Sequence, residues 1–168
     1  PEFSTQYPLL LKTIMKRPVT IYPNEIGLVY RNQATGRYQR FTWIEWYRRT
    51  CRLANTLKAL GVRSGGPGAP GGRIATMALN THRHMELYYA VPCIGAMLHC
   101  VNVRLSIEHI VYTINHAEDE LLFFDDLLLP LVEAIYDQIK GKVKAFIYMS
   151  DQTQLPASRI AQLYSYEE

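Results

Sequence analysis

The chain has 168 residues, 48% hydrophobic and 20% charged, with a formal net charge of +3. That length suits one domain or one large subdomain, and that balance excludes an intrinsically disordered chain. The small positive excess, with no basic block interleaved by aromatics, argues against nucleic-acid binding.

Residues 1–25 read as an amino-terminal arm. Within it Pro1-Glu2-Phe3 is taken for a cloning scar. An apolar stretch over residues 7–15 suggests a short helix, with Pro18 and Pro23 introducing an extended segment. Two β-prone runs, 26–31 and 37–41, flank a loop ending in Gly36 and predict a hairpin. Thr42 with Glu45 three residues on forms a capping box. Ile44, Tyr47, Cys51, Ala54 and Leu57 then recur at helical spacing, with Arg48, Arg49, Arg52, Asn55 and Lys58 on the other side. Gly61 is the stop.

Residues 64–72 hold five of the ten glycines with Pro67 and Pro70, a composition that predicts a flexible loop. Beyond it strands and helices alternate. Expected strands are 74–79, 98–101, 120–124 and 143–148. A helix over 82–97 is expected to kink at Pro92, another begins at a Ser106 cap, and a third follows a cap at Asp125 or Asp126 and ends at Gly141. Residues 157–168 read as a final helix. Buried strands separated by helices imply parallel pairing. The expected fold is therefore α/β: a three-layer, mostly parallel open sheet preceded by a β-hairpin and the amino-terminal arm, with residues 26–168 forming one subdomain.

The order of short motifs narrows the reading. The run Phe41-Thr42-Trp43-Ile44-Glu45, then Leu53-Ala54-Asn55 and Leu57-Lys58-Ala59-Leu60-Gly61-Val62, starts the series. It continues with Arg73-Ile74-Ala75, Asn80, His84-Met85-Glu86, Ala90 and Gly95-Ala96-Met97-Leu98-His99. Asn102-Val103-Arg104-Leu105-Ser106, then residues 110–117 and Phe123-Phe124-Asp125, complete it. Taken together these resemble the amino-terminal part of AMP-forming acyl-CoA synthetases, within the adenylate-forming superfamily. His84-Met85-Glu86 and residues 102–105 look most like the medium- and long-chain fatty-acid–CoA ligases. The resemblance implies a parent enzyme that uses ATP and Mg2+ to form an acyl-adenylate from a fatty acid and then passes the acyl group to CoA.

Two departures stand out. Where the family has a compact Pro-Gly-Asp-Arg turn, this chain has the longer 64–72 loop, with Gly72 in place of the Asp. The Ser/Thr/Gly-rich Pro-Lys-Gly segment that holds ATP phosphates in the family does not occur here. Nor do the aromatic–Gly–Thr–Glu motif, the ribose-holding Asp and the adenylation lysine. The resemblance therefore implies no catalytic, cofactor-binding or metal residue within the chain. The segment alone is expected to be inactive and to pack against the remainder of the same enzyme. A stand-alone binding or oligomerisation module, possible as a homodimer, is the other reading.

Local candidates favour plain structural roles. The Gly-rich loop follows a helix and precedes a strand, whereas a phosphate cradle follows a strand and opens a helix. His82 and His84 point away from each other on a helix, and His99 and Cys100 face opposite sides of a strand, so a metal site with Cys93 is disfavoured. Glu118, Asp119, Glu120, Asp125 and Asp126 suit caps and solvated turns. Asn102 and Arg104 suit the turn before Ser106, and Tyr88 and Tyr89 suit core packing. Cys51, Cys93 and Cys100 form neither a Cys-x-x-Cys pair nor an even framework, which fits reduced thiols. No apolar run nears the ~20 residues of a membrane span. With no leader-like start, a cytoplasmic location is expected.

Overall fold

A computed structural model describes residues 10–152 and 154–168. Residues 1–9, which include the expected scar and the start of the apolar arm, lie outside the described residues. The first helix, α1 (Leu11–Ile21), runs through Pro18 instead of ending before it. The ring removes one backbone donor from the helix interior, and the helix closes with Tyr22 N–H donating to Pro18 O at 2.7 Å. The hairpin forms as expected from β1 (Ile26–Arg31) and β2 (Tyr38–Thr42), antiparallel with a register shift at Gly27. Helix α2 (Trp43–Ala59) begins on the complete Thr42/Glu45 capping box, and Gly61 turns the chain away with φ +79°.

Strands β3 (Arg73–Met77), β4 (Met97–Cys100), β5 (Leu121–Asp125), β6 (Ala145–Met149) and β7 (Leu163–Ser165) form one parallel sheet in the order β4-β3-β5-β6-β7. Its core alternates strictly with strand period. Ala75, Met77, Leu122, Phe124, Phe146 and Tyr148 face one cluster with Ile110, Ile114, Val132 and Ile135. Ile74, Leu121, Phe123, Ala145, Ile147 and Met149 face the other, with Leu57, Leu87 and Val91. So α4 (Ile107–Ala117) and α5 (Leu129–Ile139) cover one face, while α2 and α3 (His82–Cys93) cover the other. A sheet buried on both faces requires apolar residues at successive positions, and every residue of β5 and β6 is buried. The three-layer α/β expectation holds.

Three local expectations do not. Residues 157–168 form no helix; Leu163–Ser165 pairs in parallel with β6, and its backbone bonds outweigh any weak helical pattern. Neither Asp125 nor Asp126 caps a helix with its side chain. A 3-10 turn over Asp126–Leu128 leads into α5, where Pro130 occupies the first turn. Helix α3 ends at Cys93, one residue beyond Pro92, so the proline sits in the last turn; in place of the expected extension the chain turns at Gly95, with φ +79°, and β4 opens at Met97.

The 64–72 loop is anchored at its base. Gly65 N–H donates to Gly95 O at 2.7 Å, Ser64 Oγ to Ile94 O at 2.6 Å, and Gly66 pairs with Ala69 at the tip. A Cβ on Gly71 would run into Gly95 O, whereas one on Gly66 meets nothing within 4 Å. Gly71→Ala is therefore expected to cost about 2 kcal/mol by forcing two backbones apart. Gly66→Ala should stay within about 0.5 kcal/mol. Urea midpoints of the two variants check the contrast, and equal midpoints would refute it.

Candidate functional site

The connections out of β3 and β4 run to opposite sides of β3, which places a switch point between β3 and β5. In open α/β sheets ligands favour the crevice beyond the carboxyl ends of strands at such a point. Here the crevice is bridged by Leu79 N–H donating to Asp125 Oδ2 at 2.6 Å. Beside it, Ser150 Oγ donates to Asp126 Oδ2 at 2.9 Å. Asp125 is buried, and that burial lifts its carboxyl above the ordinary value against the pull of the Leu79 amide.

Next to this edge lies a network of five charged groups. Arg49 of α2 donates through Nε to Glu86 Oε1 at 2.6 Å and through Nη1 to Glu167 Oε2 at 3.0 Å. Arg83 of α3 donates to Glu167 Oε1 at 2.7 Å and to Asp151 Oδ1 at 3.1 Å. Tyr30 Oη donates to Asp151 Oδ2 at 2.8 Å and Tyr166 Oη to Glu86 Oε2 at 2.6 Å. Burial opposes the charge on both guanidiniums, yet their carboxylate partners hold them above the usual arginine value. Burial raises the Glu86 carboxyl, with Arg49 and Tyr166 opposing it. Burial works against Glu167 too, but the two arginines pull it below its ordinary value. Burial and then Asp151 push the Tyr30 phenol up to about 12.

His82 stacks on Phe41, with ring centroids 4.8 Å apart, and lies 4.6 Å from Tyr30. A cleft of about 590 Å³ opens over His82, Arg49, Arg83 and Asp151. On the α2 side, a groove of about 740 Å³ is lined by Leu53, Leu60, Phe123, Ile147 and Tyr166; Leu60 is exposed, while Phe123 and Ile147 are buried.

The residues singled out from sequence scatter. His84 and Cys100 do meet, with Nε2 3.9 Å from Sγ, but the ring is already engaged: its Nδ1 lies 3.1 Å from Leu79 O and its Nε2 3.0 Å from Thr76 Oγ1. His99 turns to Asp119, 2.6 Å away. That carboxylate holds the imidazole above its ordinary value despite burial. Asp119 and Asp125 are buried, not in solvated turns as expected, because each carries a specific partner. Glu118 takes the left-handed C-cap of α4, and Glu120 pairs with Arg63 and Lys144. Arg104 N–H donates to Asn102 Oδ1 at 3.0 Å, the turn-fixing role expected for the pair. Tyr89 packs edge-on against Trp46, but Tyr88 is exposed and bonded to Cys100, so only one of the two tyrosines serves the core. The charged network was missed. Its one local signal was Glu86, a carboxylate on the same helix face as His82 and Ala90.

The profile of the family described as AMP-binding enzyme matches residues 15–164. The chain belongs to this family. The long-chain-fatty-acid–CoA ligase of Thermus thermophilus is 48% identical over 118 residues, 70% of this chain and 20% of its own length. The medium-chain-fatty-acid–CoA ligase of Ectopseudomonas oleovorans is 38% identical over 136 residues, 81% and 24% respectively. The solved acetoacetyl-CoA synthetase of Streptomyces lividans superposes with a TM-score of 0.74 at 20% identity, covering 91% of this chain and 23% of that one. The chain thus spans about a fifth to a quarter of the length of these relatives.

In this member of the AMP-binding enzyme family, the motifs that carried the resemblance fall on β2 and α2, the start of β3, α3, β4, the turn into α4, α4 itself, and β5. The described residues fit the nucleotide and metal implied by the family poorly. Arg49 and Arg83 are both bound to carboxylates, and two guanidiniums against three carboxylates leave the network at −1. The Gly65 amide is bonded to Gly95 O. No group of three His, Cys, Asp or Glu side chains among the described residues is placed to hold a metal ion. A polyphosphate needs free, convergent donors.

Proposed function

We propose that this chain is the amino-terminal subdomain of an ATP-dependent fatty-acid–CoA ligase, built from residues 26–168 with residues 1–25 as its arm. It acts as a scaffold, not as the catalytic centre. The observation that carries the reading is the family match over residues 15–164, together with the 48% identity to a long-chain-fatty-acid–CoA ligase. In the whole enzyme, fatty acid, ATP, Mg2+ and CoA are the reactants. In the chain alone no catalytic, nucleotide or metal residue is expected. Supporting that part are the self-satisfied charges at the sheet edge and the bonded amides of the Gly-rich loop. No helix among the described residues is long and apolar enough to cross a membrane. The whole enzyme is expected in the cytoplasm.

The groove over Phe123, Ile147 and Tyr166 supports the reading that further polypeptide of the same enzyme packs there. It also favours a second reading, self-association of the chain as a homodimer through that groove. One experiment separates them. The 168-residue chain and the full-length enzyme are incubated with fatty acid, ATP, Mg2+ and CoA, and pyrophosphate is followed. Turnover is expected from the full-length protein only, with the chain monomeric by light scattering. Turnover by the chain would refute the scaffold role, no acyl-CoA from the full-length protein would refute the ligase reading, and a stable dimer would favour the second.

A further inference from the structure

The end strand of the sheet makes an acid–base contact away from both the crevice and the charged network. Asp119 lies between the C-cap of α4 and the start of β5 and is 0% exposed. Its Oδ2 accepts from His99 Nδ1 at 2.6 Å, and its Oδ1 has no partner among the described residues. His99 stands opposite Ala75 of β3, so the contact reaches across β3, from β4 to the connection that opens β5. Other charges nearby are committed elsewhere. Arg73, the one charged residue of β3, pairs with Glu118 at 3.7 Å, and Glu120 pairs with Arg63 and Lys144. On α4, His116 in the last turn stacks on Tyr112, while Glu108 and His109 sit at the far end of the helix. On the opposite face of β4, His84 and Tyr88 of α3 meet Cys100. His99 is therefore the only side chain bonded to this carboxylate among the described residues.

We infer that the His99–Asp119 pair is a proton-operated latch, holding β4 to the rest of the sheet while the imidazole is protonated and loosening it when that proton leaves. The buried anion is the cause. With the proton in place, an imidazolium meets the carboxylate in a dry site and compensates for lost water. Without it, the carboxylate keeps one neutral donor and an oxygen bonded to nothing. Relief comes most readily at β4, which is four residues long and pairs, among the described residues, with β3 alone. Segments with so few bonds open locally at less than the global free energy. Burial lifts the Asp119 carboxyl above its ordinary value, with His99 and Arg73 opposing. The bond to Asp119 lifts the imidazole against its own burial. Both shifts carry the same sign. A group held above its unfolded value stabilises the fold below that value, and the contribution is lost as the pH rises through the native one. For the imidazole the window opens at 6.5 and extends upward.

The test is amide hydrogen exchange of the chain by NMR from pH 6 to 9, read as protection factors so that intrinsic base catalysis drops out. Met97 and Val101 N–H, bonded to Gly72 O and Thr76 O, report on β4, and the amides between β5 and β6 report on the sheet centre. Protection of Met97 and Val101 should fall by up to about tenfold per pH unit between 6.5 and the native imidazole value. It should also stay below that of the centre, the mark of local opening. Asp119→Asn keeps the shape and removes the anion, so its β4 protection should be level across the range. His99→Gln keeps a neutral donor without a proton to lose, and should be level at the value the parent reaches at pH 9. His99 is half-buried, so this variant and the parent profile still decide the matter if Asp119→Asn does not fold. A level parent profile overturns the latch, as does a His99 ring that titrates below 6.5. So does a slope that either variant retains. Equal protection at β4 and the centre throughout also overturns it, since β4 would then open only with the whole fold. No readout is ligase activity, so failure here leaves the proposed function standing.

Discussion

Arg49→Ala is expected to destabilise the fold by about 3 to 5 kcal/mol, more than most single changes at a partly exposed position. The cause lies in the partner left behind. The Glu86 side chain is 2% exposed, against 25% for Arg49. Removing the guanidinium leaves a buried carboxylate with only the Tyr166 hydroxyl, and desolvation, already the largest influence on Glu86, goes uncompensated. Glu167 also loses one of its two arginines. The pair's own worth is smaller, since desolvating two ions offsets much of their attraction. Arg49→Met combined with Glu86→Leu should therefore recover much of the loss. Urea unfolding of both variants decides the matter. An Arg49→Ala loss under about 1 kcal/mol would show that Glu86 is better solvated or more easily protonated than its surroundings imply.

Elements whose cause is local were legible in the sequence. Thr42 and Glu45 bond each other across three residues, so the start of α2 could be read from two letters. β5 as far as Phe124 and all of β6 are apolar runs because both faces are covered, and run length alone separates them from helices. What failed depends on distant partners. Leu163–Ser165 is a strand because β6 offers a free edge, and three residues carry no periodicity of their own. Asp125 looks like a cap, yet the Leu79 amide, 46 positions earlier, claims its carboxylate. The charged network joins Arg49 to Glu167 across 118 positions. In the sequence Arg49 is one of several polar residues on the outer side of α2. Only α3 packing against that helix, with the chain end returning beside β6, turns it inward. Family resemblance reached the fold through an ordered set of short motifs, but it could not reveal this network, which is a property of packing.

His82 should make the fold lose stability as the pH falls from about 6.5 towards 4. The residue is 4% exposed, and its Nδ1 has no partner among the described residues. Burial first, then the charges of Arg83 and Arg49, lower its value from 6.5 to about 3, although Glu167 and Asp151 pull the other way. The sign follows. Between about 6.5 and 3 the unfolded chain binds a proton that the native state refuses, so acid favours unfolding. Stability from this group is complete above the unfolded value and falls by about 1.4 kcal/mol per pH unit below it, or roughly 3 kcal/mol by pH 4. Glu167 acts with the same sign but lower. Its depressed carboxyl contributes stability above the unfolded value of 4.5, which is lost only as the pH falls through the native one. The two windows therefore separate. His82→Phe keeps a ring against Phe41 and removes the titrating group, so relative to this variant the parent should lose stability from pH 6.5 to 4.5; the raised groups Glu86, Asp125 and His99 act with the opposite sign and are common to both proteins. Urea midpoints across that range are the measurement. Parallel curves would mean that the imidazole accepts its proton in place, with Glu167, 4.0 Å from Nε2, outweighing both burial and the arginines.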